Sequence, residues 1–150
     1  MEIIFTDGSD ERFARLCREL DGDLNDAVGG EKQRAHYNQY NLRDDIRDVA
    51  LALEDGTAVA CGSFKRYSEG VAEVKRVYTQ TEYRGRGYAR AVMQALEERA
   101  RAQGYAKLIL ETGRVLTAAM GMYATLGFRV IDNYGPYANM PDSVCMEKAL

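Results

Sequence analysis

The stretch from residue 74 to residue 91 combines glycines and arginines at the junction of a predicted strand and a predicted helix. It reads VKRVYTQTEYRGRGYARA, and a helical pattern begins directly after Gly87. The first turn of a helix has four backbone N–H groups without intrahelical partners and about half a positive charge from the macrodipole. Because Gly85 and Gly87 lack Cβ atoms, a phosphate can approach this backbone closely. The segment therefore predicts a binding site for a phosphate-bearing ligand.

Two common phosphate-binding patterns fit this segment poorly. A P-loop requires Lys followed by Ser or Thr after its last glycine, whereas Tyr88 follows Gly87. A dinucleotide fingerprint requires a third glycine at the position that Arg90 occupies, although Glu111 does end the next predicted strand as a ribose-binding acid would. A nucleotide-binding domain is thus a weak alternative.

A third pattern fits better. The spacing Arg84-x-x-Gly87-x-Ala89 between strand and helix resembles motif A of the GNAT superfamily, the acetyl-CoA-dependent N-acetyltransferases. The later segment AMGMYATLGF, residues 119–128, is similar to the family's Ala-x-x-x-Tyr-x-x-x-Gly-Phe signature. The resemblance extends over about residues 45–131, and the N-terminal third matches only in the order of its elements.

The resemblance implies acetyl-CoA as the cofactor. Backbone amides of residues 86–89 would hold the pyrophosphate, the end of the preceding strand would contact the pantetheine arm, and the Val77 amide would polarise the thioester carbonyl. The implied cofactor-binding residues are Val77, Tyr78, Thr79, Arg84, Gly85, Arg86, Gly87, Tyr88, Ala89 and Tyr123. Many family members carry asparagine seven residues before the motif tyrosine, and this chain has Leu116 there.

The resemblance also implies catalytic roles for particular side chains. Tyr123 matches the tyrosine that protonates the departing thiolate. A phenol with a pKa of about 10 can donate a proton or a hydrogen bond to the thiolate of a thiol with a pKa of about 8.5. Glu73 on the central strand and Glu111 at the end of the next strand are the two candidates for the general base. The single histidine, His36, is the weaker alternative, and no metal site is predicted.

The expected reaction is direct attack of a small primary amine, or of an amino-acid-like metabolite, on acetyl-CoA. Candidate acceptor-binding residues are Tyr37, Asn38, Tyr40, Thr112, Arg114, Tyr134 and Tyr137. Carboxylates would suit a cationic amine, whereas Arg76 or Arg114 would suit the carboxylate of an amino acid. Acetylation of a protein lysine or N-terminus is one alternative, and a non-catalytic acyl-CoA sensor is another.

Hydrophobic patterning places these residues on a mixed α/β sheet. Strands are predicted at 2–6, 49–53, 57–67, 71–79, 106–110, 128–131 and 143–147, with helices near 11–24, 31–42, 88–101 and 115–126. The expected GNAT-like fold has about seven mostly antiparallel strands, one splayed parallel pair and about four helices. Simple alternation in the fourth strand groups Ala72, Val74, Arg76 and Tyr78 on one face and Val71, Glu73, Lys75 and Val77 on the other.

Composition limits the remaining possibilities. A length of 150 residues predicts one domain spanning 1–150. A net charge of −3 argues against general nucleic-acid binding, and no apolar run is long enough for a membrane span. Three separated cysteines and the absence of a signal-peptide pattern favour a cytoplasmic protein with reduced thiols. The sequence does not determine the oligomeric state, and a homodimer is one alternative.

Overall fold

The computed structural model describes residues 1–27 and 45–150, which contain seven strands and three α-helices. The strands are β1 (Glu2–Thr6), β2 (Asp48–Glu54), β3 (Thr57–Ser68), β4 (Val71–Thr79), β5 (Lys107–Gly113), β6 (Arg129–Ile131) and β7 (Ser143–Ala149). The helices are α1 (Glu11–Ala27), α2 (Tyr88–Ala102) and α3 (Thr117–Thr125), and short 3-10 turns cover Thr81–Tyr83 and Gly135–Tyr137. No helix in these described ranges is long and apolar enough to cross a membrane.

All seven strands form one sheet in the order β1-β2-β3-β4-β5-β7-β6. Strands β1 to β4 are antiparallel neighbours, as the predicted meander requires, and β4 and β5 form the one parallel pair. The predicted mixed sheet with a single parallel pair is therefore confirmed. Three of the four expected helices are present, and the fourth, near 31–42, lies outside the described residues.

Helices cover both faces of the sheet at its centre. On one face α2 buries an apolar stripe that includes Val92, Met93 and Leu96, and the core there also contains Tyr123. On the other face α1 contributes Phe13, Leu16 and Cys17 to a second core. This stripe at helical spacing lets α1 pack against β3 and β4.

The alternation expected for β4 is wrong beyond Lys75, because β4 contains a β-bulge. Three residues of β3, Cys61 to Ser63, lie opposite four residues of β4, Lys75 to Tyr78. Arg76 takes a left-handed backbone conformation with φ of 60°, which is rare for a residue with a side chain. Val77 now packs in the core beneath α2, while Tyr78 packs in the core beneath α1.

Hydrogen bonds from β3 hold the bulge. The Ser63 hydroxyl donates to the Lys75 carbonyl at 2.6 Å, and the Cys61 thiol donates to the Arg76 carbonyl at 3.3 Å. The guanidinium of Arg76 is bound to α1, where it donates to Asp21 at 2.8 Å and to the Cys17 carbonyl at 2.9 Å. These contacts offset the strain at Arg76, which is of the order of 1–3 kcal/mol for a non-glycine residue in this region.

Gly62 lies opposite the bulge and has no room for a side chain. We expect Gly62→Ala to lower the free energy of unfolding by about 1–3 kcal/mol through overpacking. Its Cβ would lie 2.8 Å from Val92 Cγ1 and 3.0 Å from Leu96 Cδ1. Gly121→Ala is the matched control, because a Cβ there meets no atom within 4 Å. Since Gly121 lies in a helix, its replacement by alanine should raise the free energy of unfolding by about 0.5–1 kcal/mol. Urea denaturation of both variants checks the prediction, and a Gly62→Ala protein as stable as the original would contradict it.

Candidate active site

The glycine-rich segment forms a turn that ends at the N-terminus of α2. Gly85 and Gly87 have φ values of 77° and 88°, and Gly87 is the residue that caps the helix. Because glycine has no side chain, Gly87 leaves the first-turn amides of α2 uncapped and open to a ligand. The turn therefore has the backbone conformation that the predicted anion site requires.

A groove of 1020 Å³ begins at this helix end and runs along β4 to α3. Its lining includes nine of the ten predicted cofactor-binding residues: Val77, Tyr78, Thr79, Arg84, Gly85, Gly87, Tyr88, Ala89 and Tyr123. Arg86 is not among the lining residues, and its guanidinium lies over the Tyr83 ring at 5.6 Å. The Oγ1 atom of Thr79 is buried and has no hydrogen-bond partner among the described residues.

Arg84 ties the end of β4 to α1. Its guanidinium donates to the Thr79 carbonyl and to Asp23, both at 2.9 Å, and lies 5.7 Å from the centre of the Tyr78 ring. Burial, together with the negative charge of Asp23, raises the pKa of Tyr78 to about 12. Arg84 thus lines the groove while its charge is already paired with an acid.

The far wall of the groove is apolar. It is formed by the start of α3 and the residues before it, namely Val115, Leu116, Thr117, Ala118, Ala119 and Met122. Val115 is 60% exposed, so its side chain is accessible to a ligand in the groove. Leu116, at the position where the motif resemblance implies asparagine, offers this groove an aliphatic side chain and no side-chain hydrogen bond.

Strands β4 and β5 separate at the centre of the sheet. Their last parallel partners are Glu73 and Ile109, although β4 continues to Thr79 and β5 to Gly113. A second cavity, of 130 Å³, occupies this gap and is lined by Glu73, Val74, Lys75, Arg76, Val77, Leu110, Glu111, Thr112, Gly113, Leu116, Ala119, Tyr123, Tyr137, Leu20 and Leu24. Six residues line both cavities, so the two spaces adjoin along a shared wall that includes Tyr123: Leu20, Leu24, Val77, Leu116, Ala119 and Tyr123.

Tyr123 is a buried phenol at this junction. Its ring packs edge-to-face on Phe128 with centroids 5.8 Å apart. Burial, and secondarily the negative charge of Glu111, raises the pKa of Tyr123 well above its ordinary value. The phenol therefore keeps its proton throughout the neutral range and is available as a hydrogen-bond donor.

The two candidate bases lie on opposite sides of the gap. Glu73 is 5% exposed, accepts a hydrogen bond from the Tyr134 hydroxyl at 2.7 Å and lies 3.5 Å from Lys75 Nζ. Glu111 is only partly buried and accepts a hydrogen bond from the Ser143 hydroxyl at 2.7 Å. Both carboxylates line the small cavity, so an acceptor bound there would lie close to each of them.

The loop between β6 and β7 covers this face of the sheet. Tyr137 lines the small cavity, and Tyr134 reaches it through its bond to Glu73. The Asn133 side-chain amide donates to three carbonyls, those of Tyr137, Met140 and Ser143, at 3.2, 3.1 and 3.1 Å. These bonds hold the two tyrosines in place over β4.

The other predicted acceptor residues have different outcomes. Thr112 lines the small cavity. Arg114 lines neither cavity, since its guanidinium donates twice to the Pro141 carbonyl at 3.1 and 2.8 Å. His36, Tyr37, Asn38 and Tyr40 lie outside the described residues.

Two cationic residues of the site were missed in the sequence. Lys75 lines the small cavity, although alternation alone gave it no role. Arg90 lines the large groove, although its helical spacing had placed it on the solvent side of α2. A signal was available for Arg90, because a cation in the first turn of a helix opposes the macrodipole unless an anion lies nearby.

Replacing Arg90 tests this interpretation. We expect Arg90→Gln to weaken CoA binding about 10-fold through loss of one charge-assisted contact. The same change removes an unfavourable charge from the helix N-terminus, so the CoA-free protein should become more stable by about 0.3–1 kcal/mol. Arg101→Gln, which removes the exposed pair with Glu97 at the other end of α2, is the control. Calorimetric titration with CoA and thermal unfolding without it measure the two effects, and equal CoA affinity in the Arg90 variant would refute the contact.

Comparison with known proteins identifies the family. The family model described as "Acetyltransferase (GNAT) family" matches residues 13–128. The chain belongs to the GNAT family of acetyltransferases. This GNAT chain is 36% identical over 141 residues to an IAA acetyltransferase from Azospirillum brasilense, with 93% of this chain and 92% of the relative covered.

Solved structures share the fold. The chain aligns with a Klebsiella pneumoniae protein assigned as an acyl-CoA N-acyltransferase at a TM-score of 0.82 and 29% identity, covering 99% of this chain and 97% of the other. A PaiA N-acetyltransferase from Thermoplasma acidophilum, solved in complex with coenzyme A, aligns at a TM-score of 0.73 and 21% identity over 100% of both chains. The GNAT enzyme described here is therefore an acetyl-CoA-dependent N-acetyltransferase, as the sequence motifs predicted.

The groove fits the cofactor of this family. The uncapped α2 N-terminus and Arg90 suit the pyrophosphate, whereas the apolar α3 wall suits an uncharged chain. The orphaned Thr79 Oγ1 and the separated backbone of β4 provide polar groups for an amide-bearing arm. The groove is therefore cationic at the α2 end, and it is apolar with polar backbone groups toward α3. This arrangement matches a long ligand that is anionic at one end and carries amides on an apolar arm at the other.

Proposed function

We propose that this enzyme acetylates the primary amine of a small molecule, an amine or an amino-acid-like metabolite, by direct attack on acetyl-CoA. The observation that carries the proposal is the wall, including Tyr123, that the two cavities share, with a carboxylate, Glu73, in the smaller cavity and the cofactor groove on the other side. An acceptor in the small cavity would lie beside both a base and an acid. The cavity volume of 130 Å³ supports a small acceptor over a protein chain.

In this mechanism Glu73 accepts a proton from the ammonium group of the acceptor, directly or through water, and the neutral amine then attacks the thioester carbonyl carbon. Glu73 is favoured over Glu111 because it is the more deeply buried of the two and is oriented by both Tyr134 and Lys75. The Val77 N–H would stabilise negative charge on the carbonyl oxygen, as backbone donors do in acyl transfer. Tyr123 holds a proton at its phenol oxygen for the leaving sulfur. Acetyl-CoA supplies the acetyl group as an activated thioester.

The cysteines support direct attack over a covalent acetyl-enzyme. Cys17, Cys61 and Cys145 are all buried. Burial raises the pKa of Cys145 to about 11 and also raises that of Cys61. Since the thiolate is the nucleophilic form, neither of these two thiols is prepared for acetylation at neutral pH.

Binding and turnover measurements test the proposal together. Thermal shift with CoA, acetyl-CoA, ATP and NAD should show the largest stabilisation with CoA and acetyl-CoA. Thiol release from acetyl-CoA, followed over a panel of amines, amino acids and lysine peptides, should then exceed background for small primary amines. Strong CoA binding with background thiol release across the panel would favour an acyl-CoA sensor, and release with peptides alone would favour protein acetylation.

A further inference from the structure

Glu73 and Lys75 form a buried ion pair on the wall of the small cavity. They are two residues apart on β4 and therefore project from the same face of the sheet. Their side chains are 6% and 8% exposed, and Lys75 Nζ lies 3.5 Å from Glu73 Oε1. Each charge has a second partner, because Tyr134 donates to Glu73 Oε2 at 2.7 Å and Lys75 donates to the Tyr137 hydroxyl at 3.3 Å. The cavity thus has a negative and a positive group side by side.

Stability does not account for this pair. Desolvating two charges costs several kcal/mol, and a buried ion pair is often no more stable than apolar residues of the same size. Burial already lowers the pKa of Lys75, although the negative charge of Glu73 opposes that shift. A cavity wall made from such a pair is instead suited to a ligand with complementary charges.

A second cation, at the β4 bulge, lies against the same cavity. Arg76, which has the left-handed backbone conformation at the bulge, also lines this cavity. Its terminal nitrogens are bound to Asp21 and to the Cys17 carbonyl. Its Nε–H is buried and has no hydrogen-bond partner among the described residues. Lys75 and Arg76 together make this end of the cavity favourable for an anionic group.

We propose that the acceptor is a free α-amino acid with a small side chain, whose amine faces Glu73 and whose carboxylate binds Lys75. The amine nitrogen and carboxylate carbon of an α-amino acid are about 2.5 Å apart by standard bond lengths and angles. That spacing is comparable with the 3.5 Å between the charged atoms of Glu73 and Lys75. The two charges of the ligand can therefore pair with the two charges of the wall at the same time.

The size of the cavity sets the class of amino acid. Its 130 Å³ is several times the about 10–15 Å³ that one water requires, so a ligand of several heavy atoms fits. Glu111, the second carboxylate of the wall, disfavours an acidic side chain because like charges repel. Glycine, alanine and serine are the acceptors that this wall matches best. The inference rests on the proposed amine acetylation and adds recognition of the carboxylate.

Matched acceptors test the role of the carboxylate. Glycine is compared with glycinamide and methylamine, and alanine with ethylamine, as acceptors for acetyl-CoA. Glycinamide is the stringent partner because it keeps the amine and loses only the negative charge. We expect kcat/KM to be about 10- to 100-fold higher for glycine, from one charge-assisted contact, with the difference mainly in KM. Equal values for glycine and glycinamide would overturn the inference while the proposed function stands.

Variants identify the residue responsible. Lys75→Met should reduce the ratio of kcat/KM between glycine and glycinamide to about one, Lys75→Arg should retain most of it, and Tyr137→Phe should reduce it in part. An unchanged ratio in Lys75→Met would remove Lys75 from the carboxylate site. CoA binding shows whether Lys75→Met is folded. If it is not, the glycine-to-glycinamide ratio of kcat/KM in the wild-type enzyme and in Tyr137→Phe decides whether this site binds the carboxylate.

A binding measurement separates this inference from the proposed function. Calorimetric titration of the CoA-bound enzyme with glycine should give heat of binding that is absent with methylamine. If no primary amine is acetylated but glycine still binds in a Lys75-dependent manner, the proposed function fails and the carboxylate site stands. If amines are acetylated and glycine binds no better than methylamine, the carboxylate site fails alone.

Discussion

Tyr123→Phe should lower kcat by about 100-fold or more, with CoA affinity and stability close to those of the original enzyme. General acid catalysis contributes about 10²–10⁴-fold to the rate. Phenylalanine has no hydroxyl group, so the variant cannot protonate the leaving thiolate. The substitution keeps the ring that packs on Phe128, so the core should be preserved. Because burial raises the pKa of this phenol, the loss should be similar throughout the neutral pH range.

Tyr105→Phe is the matched control for this substitution. Tyr105 also packs edge-to-face on a phenylalanine, Phe64, with centroids 5.8 Å apart, but it lines neither cavity. Stopped-flow measurement of thiol release separates the chemical step from product release in both proteins. A Tyr123→Phe enzyme with unchanged turnover would remove the acid role from Tyr123 and leave the phenol as a packing residue.

Glu73→Gln should lower kcat/KM by about 100-fold or more and should also destabilise the protein. The rate falls because glutamine cannot accept the ammonium proton, and general bases contribute about 10²–10⁴-fold. Stability falls because a buried lysine loses its carboxylate, and breaking a buried pair costs about 3–5 kcal/mol. Deprotonation of Lys75, whose pKa burial already lowers, would limit that loss at high pH.

A double variant distinguishes the two effects of Glu73→Gln. Adding Lys75→Met removes the unpaired cation, so the double variant should recover much of the stability and little of the turnover. Glu111→Gln is the matched single substitution on the opposite strand, and it should cost less activity if Glu73 is the base. Recovery of turnover along with stability in the double variant would show that Glu73 acts only through folding, and a larger loss in Glu111→Gln would transfer the base role to Glu111.

The sequence predicted the sheet and the anion-binding turn because their signals are local. Hairpin glycines, strand alternation and the glycine-rich turn before α2 depend on neighbouring residues alone. The antiparallel pairing of β2, β3 and β4 followed from their short connections, whereas the position of β7 between β5 and β6 was not predicted. The same reasoning failed at Arg76, since no local propensity favours φ of 60° for arginine. That conformation depends on Ser63 and Cys61 of the adjacent strand, which supply hydrogen bonds to the carbonyls of residues 75 and 76.

The residues of the cofactor groove were predicted mainly from motif spacing. Tyr123 and the turn from Arg84 to Ala89 came from spacing that resembles a family pattern. Lys75 and Arg90 belong to no motif. Alternation placed Lys75 on the same face as Glu73 without indicating a cavity there, and the direction of the groove brings Arg90 into its lining. The pairing of Glu73 with Tyr134 joins residues 61 positions apart in the chain, so only the folded loop brings them together.

The central claim is that the acetyl group passes directly from acetyl-CoA to an amine held beside Glu73. Mass spectrometry of the intact enzyme and of the acceptor, sampled through a single turnover with acetyl-CoA and glycine, tests it most directly. We predict an enzyme of unchanged mass at every time point and glycine that gains one acetyl group on nitrogen as CoA is released. An enzyme that gains an acetyl group before the acceptor does, or CoA release with no acetylated amine, would contradict the account.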